Sequence, residues 1–391
     1  MFSLGDLYLN NFLAPGELPG ERHELSLIMD ESCGAARLEH PVDNSKMFGK
    51  YWYQSGTNES MKAALKDVVD SVLPHAGTHY GQAWIDIASN DGTLLRFVPD
   101  YFIRMGVDPC EKRIYEKGQK HSIVFNDYFK KELFTGMRAS VITCIAMFYD
   151  LTNPDTFLQD VYEVLDKDGI FVIQQSYAPL MLKQLAFDNI CHEHNYYHSL
   201  TSMKIILERT GFEIVDCTLN DVNGGSFRLF IKKKGAKFAS QPYRDVCNMR
   251  IESLLQYEQE MKISDKETWL KFITEVIELG RQVTSFIHDV VAGGKVVMGY
   301  GASTKGNTLL QFFGLDNTCI TAIAERQPSK WGLHTPGTNI PIISEEEMRA
   351  AKPDYLLVLP WHFIAEFTER EKDFLNGGGH FIVPCPKFVV I

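Results

Sequence analysis

The 391-residue sequence has no apolar run approaching the roughly 20 residues that cross a bilayer, so no membrane-spanning helix is expected. It has no basic surplus either. Lys and Arg number 39 against 50 Asp and Glu, for a net charge of −11. That balance excludes a diffuse cationic surface for nucleic acid and leaves an anionic ligand to a local patch or a helix N-terminus. Close cysteine pairs are also missing: the 8 cysteines stand singly, at 33, 110, 144, 191, 217, 247, 319 and 385. A zinc ribbon needs two such pairs, and scattered cysteines in a long chain read as reduced thiols of a cytoplasmic protein. The opening MFSLGDLYLNNFLAPGELPGE carries Asp6 early and no basic leader, unlike a secretory signal. No short-period repeat or low-complexity segment is present.

What is present fits a multidomain globular protein. The chain is 45% hydrophobic, 12% aromatic and 23% charged, and its length predicts two or three domains. Residues 1–68 read as an irregular cap. From 69 to 235, short apolar runs alternate with helical patterns: AWIDIA (83–88), FIRMGVD (102–108), SIVFND (122–127), SVITCIAM (140–147) and GIFVIQQ (169–175). Such alternation predicts βα units around a mostly parallel sheet. FEIVDCTL (212–219) and FRLFIKK (227–233), separated by NGGS, read as a closing antiparallel pair. Residues 236–290 carry helical spacing through Met249, Leu254, Met261, Trp269, Phe272 and Val276, predicting one or two long connecting helices. Residues 291–391 repeat the alternation with KVVMGYG, ITAIAE, DYLLVLPW and HFIVPCP. The predicted fold is therefore α/β, with two Rossmann-like doubly wound lobes, a small N-terminal cap and a helical connector.

AWIDIA runs into SNDGTLL (89–95), where a tight turn at a helix start exposes backbone N–H groups. About 20 residues on, the next strand ends at Asp108, in the place where an acid accepts ribose hydroxyls. Ala88 replaces the first glycine of a dinucleotide fingerprint. That spacing suits S-adenosylmethionine (SAM), which has one nucleoside and no pyrophosphate. An ordinary βα turn with a surface aspartate is the plainer alternative.

DIASNDGTLL, GVDP, LDKDGIFVIQQSY, FDNICHEHNYYHSLTSMKIILERTGFEIVD and NGGSFRLF resemble the sugar C-methyltransferase family. GYGASTKGNTLL, KWGLHTPGTNIP and HFIVPCP resemble its C-terminal domain, and the likeness spans residues 45 to 391 in order. Those enzymes use SAM to methylate carbon 3 of nucleotide-linked keto-deoxysugars. The resemblance implies a SAM site built from Asp86, Ala88, Ser89, Asn90, Asp91, Gly92, Asp108, Pro109, Asp127 and Ala146. Carbon methylation beside a ketone requires loss of an α-proton, and CHEHNYYHS (191–199) is the densest polar cluster. His194 would be the base, with Glu193 orienting it once a turn brings both to one side. By resemblance Glu193 and His194 match the family's active-site pair, and Tyr53, or else Tyr51, matches a tyrosine reaching into the pocket. Cys191, Tyr196, Tyr197, Asn223, Gly224 and Arg228 complete the acceptor set.

Several positions depart from the family pattern. Cys191 stands where the family has tyrosine, MFYDL (147–151) where it has an active-site histidine, and Asn223 where many relatives have histidine. Tyr149 or Asp150 would have to substitute. These departures leave O- or N-methylation of a related sugar nucleotide open. Relatives also begin with a four-cysteine zinc site. Here only Cys33 remains, with Asp30 at another ligand position, so no zinc is expected, and the cap either folds without metal or the chain start is truncated. A metal site at His192, His194 and His198, or purely structural roles for them, are the plainer readings of the cluster.

GYGASTKG (299–306) follows a strand and opens a helix. Gly301 and Gly306 permit close approach, while Ser303, Thr304 and Lys305 add donors for phosphate oxygens. With Asn307, Arg326, Lys330, Thr335 and Thr338 they would hold the nucleotide diphosphate of the sugar, as the resemblance implies. Glu325 ends the next strand as in a dinucleotide site. An NAD-dependent reductase or epimerase is therefore the rival enzyme, although its Tyr-x-x-x-Lys couple is absent. A non-catalytic binding protein is the third reading. The expected partner is a nucleotide-diphosphate sugar, with no nucleic acid or membrane, and the chain a monomer or homodimer.

Overall fold

The computed structural model describes residues 1–43, 46–47, 54–76, 81–109, 122–238 and 241–391. The run AWIDI forms strand Ala83–Ile87, buried at every position. A strand with both faces covered belongs in the middle of a parallel sheet. The sheet has seven strands. In spatial order they are Phe212–Asn220, Ser226–Lys233, Leu165–Ser176, Ala139–Ile145, Ala83–Ile87, Ile103–Val107 and Ser122–Phe125. The last five pair in parallel, and the first two form the expected antiparallel pair, docked on Leu165–Ser176. Strand order reverses beside Ala83–Ile87, so a crevice opens at the carboxyl ends of the parallel strands.

Helix Glu59–Val72 starts on Asn58, whose side chain accepts from Ser60 N. It buries Leu65, Val68, Val69 and Val72, spaced along one face, against Trp84, Leu94 and Leu95 of the first lobe. Each such aliphatic contributes about 1.5–3 kcal/mol. The helix runs straight through residue 68, where the sequence sets the edge of the cap.

The C-terminal lobe is a six-stranded sheet in the order Ile342–Ser344, Ile323–Glu325, Val297–Tyr300, Tyr355–Val358, His380–Val383 and Val389–Val390. It is parallel except for the last strand. The connector is two helices, Tyr243–Met261 and Lys266–Ala292, broken where Lys262 turns left-handed. The second buries Trp269, Phe272, Ile273, Val276, Val283 and Ile287 in the core of the C-terminal lobe.

The cap is more regular than its sequence suggests. Phe2–Tyr8, Arg22–Asp30 and Ala35–Leu38 form an antiparallel sheet whose fourth strand is Tyr196–Tyr197, from a distant part of the chain. A register shift between Ser3 and Asp6 interrupts the two-residue alternation that marks a strand. Asp30 accepts from Ser32 N, and Gly34 N bonds Asp30 O, so hydrogen bonds close the turn around Cys33. Leu4, Leu7, Phe12, Leu25 and Leu27 join the core of the C-terminal lobe, and Tyr8 N donates to Gln311 Oε1 at 2.8 Å.

Candidate active site

The turn after strand Ala83–Ile87 is bent by three left-handed residues, Ala88 (φ 57°), Asn90 (φ 49°) and Gly92 (φ 72°). Hydrogen bonds hold it. Asn90 N donates to Asp108 Oδ2 at 2.7 Å, while Asp91 accepts from Thr93 N and from Gly56 N, 35 residues earlier in the chain. Gly106 makes the fit possible, since a Cβ there would lie 2.6 Å from Ser89 Oγ. The Ser89 hydroxyl is buried without a hydrogen-bond partner among the described residues. Asp86 is 3% exposed and accepts from Thr143 Oγ1 at 2.6 Å. Burial pushes its carboxyl up to about 7; the Thr143 bond offsets part of the rise and the charge of Asp108 adds to it.

A cavity of about 330 Å³ opens at these strand ends. Asp86, Ala88, Ser89, Asn90, Asp108, Pro109, Asp127 and Ala146 all line it, whereas Asp91 and Gly92 shape the turn behind it. Apolar walls come from Ile87, Phe129, Met147 and Leu151. An orphaned hydroxyl, paired acids and apolar walls match a nucleoside bearing an amino acid, as SAM does.

The other end of the cavity holds the polar cluster. The turn required between Glu193 and His194 is present, closed by His194 N on Cys191 O at 3.2 Å. Glu193 does not orient His194. The imidazole Nδ1 bonds the Asn189 main-chain carbonyl at 2.8 Å, and Glu193 Oε2 instead accepts from Asn10 of the cap at 3.2 Å. His194 packs on Tyr149, with ring centroids 4.2 Å apart, and Tyr149 and Asp150 both line the cavity with Cys191 and Asn223. Burial, reinforced by the Lys305 ammonium, drives the imidazole down to about 3. Burial raises Glu193 and Asp150, the latter further through the Glu193 charge. Tyr53 and Tyr51 lie outside the described residues.

This geometry can be set beside known proteins. The C-methyltransferase C-terminal domain model matches residues 221–386, and a methyltransferase domain model matches 57–216. C-methyltransferase NovU of Streptomyces niveus is 30% identical over 381 residues, covering 94% of this chain and 87% of NovU. The chain belongs to the C-methyltransferase family. It is accordingly a SAM-dependent methyltransferase rather than a reductase, an epimerase or a non-catalytic protein. Solved structures with some likeness include a SAM-dependent methyltransferase from Clostridium acetobutylicum, 12% identical with a TM-score of 0.36 over 46% of this chain and 94% of its own. Another is magnesium protoporphyrin IX methyltransferase of Synechocystis with bound SAM, 14% identical with a TM-score of 0.33 over 44% and 79%.

The C-terminal lobe of the methyltransferase reaches the same cavity through Thr304 and Lys305. Ser303 caps helix Thr304–Phe313 by accepting from Gly306 N. Lys305 turns inward, its Nζ donating to Asn189 Oδ1 at 2.5 Å, where its place in the glycine loop suggests a phosphate. Asn307 is 1% exposed with an unpartnered Nδ2, Arg326 is exposed, and Gly301 (φ 83°) packs under Pro360. Glu325 takes Gln327 N and pairs with Lys330, which also donates to Ala302 O.

Other expected contacts fall elsewhere. Tyr196 bonds Asp30 and Tyr197 pairs with Ala36 in the cap, while Arg228 is spent on Asp67, Ser71 and Gln174. Thr335 and Thr338 bond each other, and Gly224 faces Trp361. His192 bonds His23 O and His198 bonds Ser202 Oγ; among the described residues no three His, Cys, Asp or Glu side chains are grouped to hold a metal ion. Asn10, Asn189, Gln174 and Gln175 belong to the site without having been expected there. The two glutamines left a trace, polar residues closing the apolar strand GIFVIQQ at its carboxyl end. Asn189 stands inside the FDNICHEHN run with nothing to mark its role, and Asn10 left no trace.

Proposed function

We propose that the acceptor is a keto-deoxysugar carried on a nucleoside diphosphate, that the new C–C bond forms at a ring carbon beside its ketone, and that His194 is the base. One observation carries this reading. Nδ1 of His194, a residue of the cavity lining, is engaged on the Asn189 carbonyl, so the neutral ring keeps Nε2 as its proton acceptor. SAM, when bound, supplies an electrophilic methyl group on a sulfonium whose departing form is a neutral thioether. Asp108 and Asp127 would hold its nucleoside, and Asp86, Ala88 and Ser89 its amino-acid end. The cavity walls hold donor and acceptor in one orientation, which is the larger part of the rate gain.

A ring held near 3 is always unprotonated at neutral pH but is a weak base. Proton removal from carbon therefore depends on stabilising the enolate that results. The sugar's diphosphate would lie against the turn at Gly301 to Gly306, whose capped helix start presents N–H donors. All seven described cysteines are free thiols, which supports a reducing, cytoplasmic setting.

The test is turnover of nucleoside-diphosphate 4-keto-6-deoxyhexoses with SAM, the product read by carbon NMR for a new methyl on a ring carbon. The variant His194→Gln should bind S-adenosylhomocysteine (SAH) within twofold of wild type and lose turnover by about 10³-fold. A variant that turns over at the wild-type rate removes His194 from the role of base.

A further inference from the structure

The cavity has one cationic side chain among its described lining residues, and it comes from the other lobe. Lys305 stands in the first turn of helix Thr304–Phe313 and extends into the acceptor end of the cavity. Its ammonium has three N–H donors and gives one to Asn189 Oδ1. That amide cannot flip freely, because its Nδ2 donates to Ala186 O at 3.1 Å. The same residue's main-chain oxygen takes Nδ1 of His194 at 2.8 Å. Asn189 is 4% exposed and thus grips the imidazole with its backbone and the ammonium with its side chain. Burial pulls the ammonium below its ordinary range, and Asp188, the Cys191 thiol, Asp150 and Glu193, which face it, oppose that fall.

We infer that Lys305 is the electrophilic catalyst of the methyltransferase, its ammonium receiving the enolate oxygen, and that Asn189 is the positioning residue that fixes base and cation relative to each other. The inference rests on the enolate reading above. In the step it describes, the α C–H bond breaks and its proton passes to Nε2 of His194. The C–H electron pair becomes the C=C bond, and the carbonyl π pair moves onto oxygen, where two ammonium N–H groups accept the charge. No oxidant or co-reactant is needed, and the step reverses by return of the proton. A phosphate anchor would do something else: it would tighten the acceptor without touching the proton.

The experiment separates these. The full-length protein is given SAH in place of SAM, with dTDP-4-keto-6-deoxyglucose as probe in deuterated water, and proton NMR follows exchange beside the ketone. Wild type should exchange. Lys305→Met should lose exchange and kcat together by about 10²-fold or more, with KM for the probe and the Kd of SAH each within threefold. Lys305→Arg, which keeps the cation, should recover at least tenfold over Met. Asn189→Ala should lower exchange by about tenfold with both binding constants retained. A Met variant that exchanges normally but shows a KM raised tenfold would make Lys305 a phosphate anchor and overturn the inference. Loss of SAH affinity in both Lys305 variants would make the residue structural and overturn it equally. Wild type that methylates the probe without exchanging it overturns the enolate reading itself, before any variant is made.

Discussion

Replacing Asp86 with Asn should stabilise the ligand-free methyltransferase at high pH and weaken its hold on SAM. Burial, with the Asp108 charge adding to it, raises the Asp86 carboxyl from 3.8 to about 7 even though Thr143 donates to it. Between those two values the folded chain keeps a proton that the unfolded chain has released. Stability therefore falls as pH rises through that window and reaches its full penalty above about 7. At about 1.4 kcal/mol per tenfold change in proton affinity, the ceiling on the penalty is about 4 kcal/mol. Asparagine is neutral throughout, and its Oδ1 can still accept from Thr143. The two proteins should melt together near pH 4 and diverge to roughly 10 °C at pH 8, given 2–4 °C per kcal/mol for a lobe of this size. Thermal unfolding without ligand at pH 5, 6, 7 and 8 measures this. Calorimetry at pH 8 should show SAM affinity down by about tenfold or more, because a charge-assisted bond is lost. An identical melting difference at every pH would refute the titration, and unchanged SAM affinity would refute the placement of Asp86 on the donor.

Two further substitutions probe the frame. Gly301→Ala puts a Cβ 2.6 Å from Pro360 at a φ of 83°, costing about 1–3 kcal/mol, and should raise KM for the methyl acceptor while SAH binding holds. Glu258, 1% exposed, accepts from Leu200 N, Thr201 N, Thr201 Oγ1 and Tyr177 OH. Glu258→Ala orphans those donors and should lower stability by about 3 kcal/mol or more in a melt, with SAH affinity unchanged in the variant that remains folded.

The lobes are legible in the sequence because parallel strands are short, apolar and separated by helical stretches, a pattern local to each run. The SNDG turn and Asp108 are legible for the same reason: each sits at the end of such a strand. The cap is not. Its first strand loses alternation at a bulge, and its fourth is only Tyr196–Tyr197, which no local pattern marks as a strand. Asn10 reaches Glu193 across 183 residues of sequence, so nothing near either one announces the bond. Lys305 shows a different limit. The glycine loop around it reveals a backbone turn, but not which way a long side chain leaves that turn. It leaves toward Asn189, 116 residues away.

The strand Tyr196–Tyr197 begins one residue after the Cys191 to Asn195 turn and hydrogen-bonds to Ala36 and Arg37. Anyone building chimaeras from this enzyme inherits that join. The front end cannot be swapped as a cassette, since trading it removes both the rail on which the His194 segment is hung and the Asn10 contact to Glu193. Nor can the back end, which brings Lys305. Acceptor range would have to be re-engineered within one indivisible unit, by changing side chains around the cavity rather than by exchanging modules.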